Sequence, residues 1–144
     1  LIDHGADPVD MYDLVYNRNS LSATKLLGEA LRNIELFYDG KVCIMSIPVD
    51  LLSRTGAEQD DLEGFVEQTL SIHGVKIGIM MADVPENEEV RMSFRSKNNF
   101  SVRELAKEFG GGGHFHAAGA RLSKMQIAGA KEIVLNKIKD VFEI

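Results

Sequence analysis

The chain predicts an α/β fold: a mixed β-sheet of about four or five strands packed by helices and preceded by a helical connector. Three observations carry this. Between Ser20 and Tyr38 the residues Ala23, Leu26, Leu27, Ala30, Leu31, Ile34 and Phe37 recur at the 3.6-residue period of a helix. From Lys41 the period changes, and Val42 to Ile47 is apolar on both faces, as a strand covered on both sides requires. Helical and alternating stretches then take turns to the end of the chain, which is how helices layered on a sheet read.

Taken in order, Asp7-Pro8 opens a first helix, with Asp7 as N-cap and Pro8 in the first turn, where its missing N–H has no partner to lose. It fades near Asn17-Arg18-Asn19. The second helix runs from Ser20 to Tyr38 and ends at the turn pair Asp39-Gly40. After the strand Val42–Ile47, the stretch Pro48 to Gly56 reads as irregular or a single turn. Asp60 to His73 is predicted helical on Leu62, Phe65, Val66 and Thr69, with Gly74 as its stop. Its acidic residues from Glu58 to Glu67 suit the amino end of a helix dipole, and His73 suits the carboxyl end. Val75, Ile77, Ile79 and Met81 alternate as a strand. Pro85-Glu86-Asn87-Glu88 turns the chain into a second alternating strand on Val90, Met92 and Phe94, so a hairpin is expected. The opposite face of that strand carries Arg91, Ser93 and Arg95. A short helix from Ser101 to Phe109 begins with a capping box, Ser101-Val102-Arg103-Glu104, and a hydrophobic staple of Phe100 and Leu105. Ala120-Arg121-Leu122 forms a last short strand, and Gln126 to Phe142 a final amphipathic helix.

The length of 144 residues allows one domain with a short appended segment. A chain of this size buries roughly 70% of its unfolded surface and needs no disulfide or metal staple. Cys43 is the sole cysteine, which excludes intramolecular disulfides and thiolate zinc sites. It lies in an apolar run and reads as an inert, buried thiol. No apolar stretch reaches the roughly 20 residues that a membrane helix needs. Leu1-Ile2-Asp3-His4 has neither an initiator Met nor the layout of a signal peptide. The chain therefore reads as a cytoplasmic piece of a longer protein.

The net charge of −6 argues against a wholesale polyanion binder. Its distribution is uneven. Residues 1–90 hold 6 basic and 17 acidic side chains, whereas residues 91–124 hold 7 basic and 2 acidic. This pattern suits a small, local grip on phosphate and not a long nucleic-acid track.

That basic segment contains four glycines and a histidine, Gly110-Gly111-Gly112-Gly113-His114. One glycine ends the preceding helix; the others either form a flexible loop or bring successive N–H groups to an anion as a phosphate nest. The stapled helix on one side and the compact His114-Phe115-His116-Ala117-Ala118-Gly119 on the other favour the nest. A short helix starting at His114 would point its amino end at the same anion. No Lys-Ser or Lys-Thr pair follows, and a helix precedes the run instead of a strand, so neither a Walker loop nor a dinucleotide fingerprint is present. Arg95-Ser96-Lys97 reads either as solvated charge at a strand end or as a guanidinium fork on phosphate. His114 and His116 have the spacing of two metal ligands on a strand, but no third ligand stands at a telling distance, so no metal site is assigned.

These residues resemble a known family. Arg91-Met92-Ser93-Phe94-Arg95-Ser96-Lys97, a short helix, and then Gly110-Gly111-Gly112-Gly113-His114 followed by Ala117-Ala118-Gly119 are similar to the DHH-associated domain, subtype 1. This is the carboxy-terminal domain of DHH-family phosphoesterases, and the nearest branch looks like the bifunctional oligoribonuclease and 3′-phosphoadenosine 5′-phosphate phosphatase group. The likeness extends to Gly56 through Glu67 and to Leu26-Leu27-Gly28-Glu29-Ala30. It implies that residues 1–38 are a connector from a DHH catalytic domain and that residues 39–144 form the substrate-binding domain. It also implies two Mn²⁺ ions held by that other domain, where they activate water for attack on phosphorus. Carried over by position, Gly111, Gly112, Gly113, His114 and His116 contact the substrate phosphate or sugar, while Arg95 and Ser96 hold a terminal nucleotide. No Asp-His-His motif occurs in this chain, so no catalytic residue is assigned and the chain alone is expected to hydrolyse nothing. The implied partners are short single-stranded RNA or nucleotide phosphates, the amino-terminal DHH domain, and a second copy in a homodimer; no membrane is implied. The alternatives are a DHH phosphodiesterase for cyclic dinucleotides or longer single strands, and a non-enzymatic nucleic-acid-binding or dimerisation module of the kind appended to alanyl-tRNA synthetases.

Overall fold

The computed structural model describes residues 7–9 and 20–144. The opening of the first predicted helix falls in this range. Pro8 and Val9 are helical, and the Val9 N–H donates to Asp7 Oδ1 at 2.9 Å, as an N-cap carboxylate requires. The rest of that prediction lies outside the described residues.

Helix α1 (Leu21–Arg32) starts on Ser20, whose Oγ accepts from the Ala23 N–H, and it buries Ala23, Leu26 and Ala30. It ends sooner than its periodicity predicts. Asn33 caps it, donating from its backbone to Ala30 O and from its side chain to Glu29 O, and the Ile34 N–H donates to Leu31 O. The chain then forms β1 (Glu35–Phe37) and turns through Tyr38, Asp39 and Gly40, all at positive φ, into β2 (Val42–Ile47). A three-residue strand is too short to display its own period, so Ile34 and Phe37 fell in step with the helix before them.

Two further elements differ from expectation. The stretch after Pro48 forms a helix, α2 (Val49–Thr55), closed by Gly56 in the left-handed region at φ 74°. The single helix expected over residues 60–73 is instead two 3₁₀ turns, Gln59–Leu62 and Val66–Ser71, separated at Gly64 with φ 85°. Glu58 and Asp61 cap the first turn reciprocally, and Asp61 accepts from the Glu58 N–H at 2.9 Å. These carboxylates therefore serve a 3₁₀ cap, and His73 stands in a turn instead of at a helix end. The second 3₁₀ turn lies tight against the sheet: a Cβ on Gly78 would come within 1.7 Å of Thr69 Oγ1.

The hairpin is as predicted. β3 (Ile77–Val84) and β4 (Glu89–Ser96) pair antiparallel across the turn Pro85–Asn87. Then come α3 (Val102–Lys107), a two-residue strand β5 (Gly112–Gly113), β6 (Ala117–Ser123) and α4 (Ile127–Phe142). The strands form one mixed sheet in the order β1-β2-β3-β4-β6-β5, in which only β2 and β3 run parallel. The predicted class holds, and the short edge strands β1 and β5 widen the sheet to six.

One face of the sheet packs Val42, Ile44, Ile79, Met92 and Phe94 against Val102 and Leu105 of α3 and Val134 and Ile138 of α4. Phe94 is fully buried there, and its truncation to Ala is worth about 3–5 kcal/mol. On the other face Met45, Ile47, Met80 and Ala82 meet α1, α2 and the 3₁₀ turns. That second layer covers β2 and β3 but leaves β4 and β6 uncovered. Their free face carries Arg91, Ser93, Arg95, Gly119 and Arg121, none of them buried.

Candidate functional site

The uncovered face of β4 and β6 forms a shelf, and the register of three strands sets its rows. Arg95 pairs with Ala117, and reciprocal backbone bonds close Ala117 against His114. In the next row Ser93 pairs with Gly119, and Gly119 with Gly112. In the third, Arg91 stands opposite Arg121. Paired residues on a sheet share a face, so the register brings Arg95, His114 and Gly112 to one surface.

At one end of the shelf, Arg95 Nε donates to Glu67 Oε1 at 2.9 Å and Arg95 Nη1 to Phe94 O at 2.9 Å. These two bonds orient the guanidinium and leave other N–H groups of its fork for a further acceptor. Lys97 turns away, donating from Nζ to Leu70 O.

Ser96 is separated from Arg95 by the strand's alternation. It is buried beneath the opposite face, with its Oγ 3.1 Å from His116 Nδ1 and its N–H donating to His116 O. The structure thus pairs Ser96 with His116 and Arg95 with the glycine side of the shelf. The His116 ring also meets Phe115 edge-on at 4.7 Å, at an exposed tip.

The glycine run has a different conformation from the expected nest. Gly110, at φ 77°, ends α3, and the Gly110 and Gly111 N–H groups donate to Lys107 O and Ala106 O. Gly112 and Gly113 are extended and paired to β6, and the chain turns back through Phe115 and His116. Neither a concave nest nor a helix from His114 forms, because β6 claims this segment as an edge strand. Close approach explains two of the glycines. A Cβ on Gly111 would lie 2.1 Å from Gly119 O, and one on Gly113 2.6 Å from Ala117 O. A Cβ on Gly112 would meet nothing within 4 Å. The fold has no evident use for a glycine there; it leaves open space above the shelf.

A depression of about 540 Å³ lies over the β4–β6 part of the shelf, lined by Arg91, Ser93, Arg95, Gly111, Gly119 and Arg121, and Gly112, Gly113, His114 and His116 lie outside its lining. It adjoins another of about 430 Å³, reached past the same two β4 arginines and walled by the 3₁₀ turns. A third, of about 620 Å³, lies between α2 and Pro85 and is lined by Glu58, Asp60 and Glu86. Acidic walls repel a phosphate, and none of the predicted residues reaches it. Sequence reasoning did not assign Arg91, Ser93, Gly119 or Arg121 to the site. The signal was the polar phase of β4, whose partner strand supplied the rest.

Among the described residues no three His, Cys, Asp or Glu side chains group to hold a metal. His114 and His116 flank a turn without a third ligand, so these residues do not fit a two-metal centre. Also among them, no helix is long and apolar enough to cross a membrane. Cys43 is wholly buried in β2, and burial pushes its thiol up to about 11.

Fold and site together define an α/β domain with helices on both faces of its sheet and an open, arginine-bearing shelf, whose chemistry suits phosphoryl oxygens. The chain belongs to the DHHA1 domain family, whose model matches residues 39–143. It is 28% identical over 140 residues to the bifunctional oligoribonuclease and PAP phosphatase NrnA of Thermus thermophilus, covering 97% of this chain and 41% of that protein. It is 27% identical over 122 residues to the Bacillus subtilis protein of the same name, covering 85% and 37%. The crystal structure of an exopolyphosphatase-related protein from Bacteroides fragilis superposes with a TM-score of 0.84 at 30% identity, covering 99% of this chain and 42% of that one. The chain spans about two-fifths of the length of these relatives.

Proposed function

We propose that this chain is the substrate-holding domain of a manganese-dependent phosphoesterase that hydrolyses short oligoribonucleotides and 3′-phosphoadenosine 5′-phosphate. Residues 39–144 form the holding domain, and residues 1–38 lead from a separate DHH domain that holds two Mn²⁺ ions and supplies the hydrolytic chemistry. The carrying observation is the shelf itself: Arg95, oriented by Glu67, shares a sheet row with His114 and lines one depression with Ser93, Gly111 and Gly119. Preorganised donors of this kind bind phosphoryl oxygens without a reorganisation cost. A shelf three rows deep suits one terminal nucleotide and its neighbour, which fits short substrates.

The test uses the full-length protein with Mn²⁺, measuring mononucleotide release from di- to pentanucleotides and phosphate release from 3′-phosphoadenosine 5′-phosphate. His114→Ala and Arg95→Ala each lower turnover severely, and the isolated chain turns over neither substrate. Unchanged turnover in both variants would sink the assignment.

A further inference from the structure

Arg91 and Arg121 lie directly opposite each other on neighbouring strands. The Ser96 N–H bond to His116 O sets the phase of the β4–β6 ladder, so the rows of Arg95, Ser93 and Arg91 are the non-hydrogen-bonded pairs. Such pairs bring Cα atoms to about 4.5 Å, the closest approach in an antiparallel sheet. Like charges placed there repel and weaken the sheet unless something neutralises them. Protein carboxylates do so only in part. Arg121 Nη1 donates to Glu89 Oε2 at 3.3 Å, a long bond with the Arg121 side chain 58% exposed. Arg91 has no carboxylate within 4 Å among the described residues, although Asp60 and Glu63 line the adjoining depression.

The rest of the shelf is spaced to match. Arg91 and Arg95 sit four residues apart on β4, about 13 Å along the strand. Between them lie only Ser93 and Gly119. A pair of cations, a small-residue floor and a third cation thus follow one another in a depression of about 540 Å³. Each end has one arginine steered by a glutamate, Glu67 for Arg95 and Glu89 for Arg121.

We propose that Arg91 and Arg121 form a second phosphate subsite, which takes the phosphodiester two nucleosides away from the group held at Arg95. This rests on the shelf reading above and deepens it. The subsite makes the shelf selective for trinucleotides over a lone nucleotide, because the two phosphates of a 3′,5′-bisphosphate flank a single nucleoside and fall short of the pair. Glu89 is a positioning residue for Arg121.

The experiment compares kcat/KM of the full-length protein with Mn²⁺ on 5′-phosphorylated triadenylate and on 3′-phosphoadenosine 5′-phosphate. Arg91→Ala, Arg121→Ala and the double variant are measured beside Arg95→Ala, and thermal melting confirms that each is folded. The ratio of triadenylate to mononucleotide kcat/KM is expected to fall about tenfold in the double variant, as removal of charge-assisted phosphate bonds implies. The slope of log KM against log salt for triadenylate is expected to flatten by about 0.7 for each phosphate that the variant no longer neutralises. If Arg95→Ala is crippled while the double variant keeps both the ratio and the slope, the second subsite is overturned and the shelf stands. Full turnover by Arg95→Ala overturns the shelf, and the subsite with it.

Discussion

The Ser96 hydroxyl lies 3.1 Å from His116 Nδ1, while the backbones of the same two residues are joined by an N–H to carbonyl bond of 3.1 Å. This double tie pins the exposed turn that carries His114 to the strand that carries Arg95. A further bond, from the Val102 N–H to Phe115 O, ties the turn to the start of α3. Ser96→Ala removes the buried hydroxyl and keeps the backbone. Its expected cost is about 1 kcal/mol, which lowers the melting temperature by roughly 3–4 °C for a chain of this length. Amide hydrogen exchange should quicken first at His114 and Ala117, whose mutual bonds close the turn. A melting temperature equal to the parent's would show that the side-chain bond adds nothing.

Gly111 and Gly112 are neighbours with opposite expected behaviour. Gly111→Ala forces a Cβ onto Gly119 O and Ala120, and overpacking of this kind costs about 1–3 kcal/mol or more. Gly112→Ala meets open space at an ordinary φ, so stability should stay within about 0.5 kcal/mol of the parent. On the proposed reading it nonetheless lowers kcat/KM in the full-length protein, because the added methyl stands where a ligand approaches. Denaturant titration and kinetics on the same two variants separate a packing glycine from a binding one.

Arg95→Lys keeps the charge but loses the fork. A lysine ammonium cannot reproduce the Nε bond to Glu67 and the Nη1 bond to Phe94 O while presenting further donors to an anion. On the proposed function, kcat/KM should fall at least about tenfold, little better than in Arg95→Ala. The Arg95–Glu67 pair is half-exposed, so stability should change by less than about 1 kcal/mol. Full activity in the lysine variant would show that charge alone suffices.

Cys43 links stability to alkaline pH. Burial raises its pKa from 9.0 to about 11. Below pH 9 the thiol is protonated in both folded and unfolded chains, and its contribution to stability is full. Between pH 9 and 11 the unfolded chain releases the proton while the folded one retains it, so stability falls as pH rises through this window. Cys43→Ala or Cys43→Val should flatten that part of the curve in denaturant titrations. At pH 8 the native thiol should resist iodoacetamide and react only once the chain is unfolded.

The sheet core was legible because its strands are long enough to show a period. Val90, Met92 and Phe94 face α3 and α4, and Arg91, Ser93 and Arg95 face outward, as their alternation predicts. The short elements escaped for the converse reason: three residues in β1, two in β5 and seven in α2 cannot establish one. The expected helix over 60–73 failed on a tertiary demand. Gly64 breaks it, and the close seating of Thr69 over Gly78 favours a tighter turn flat on β3. At the site, glycine count and charge marked the segment that forms β5 and β6, but adjacency across strands lies outside any local pattern. Arg121 joins Arg91 through a register 30 residues long in sequence, and Ser96 parts from Arg95 because neighbours on a strand point oppositely.

Only β2 and β3 run parallel, so residues 48–76 must cross from the end of one to the start of the other. That crossing roofs β2 and β3 and meets the strand beyond them at Glu67, its contact with Arg95, while Leu70 O accepts from Lys97. The wall of the shelf is therefore a connection seated on the sheet by Leu62, Phe65 and Thr69 and open to lengthening at exposed Glu63 and Gly64. Doubling a surface connection costs only about 0.6 kcal/mol in closure entropy. A longer crossing could overhang β4 and narrow the range of ligands admitted, with no strand altered; a shorter one would release Arg95 from its glutamate. On the proposed function, selectivity and scaffold are separable quantities, adjustable through one stretch of chain.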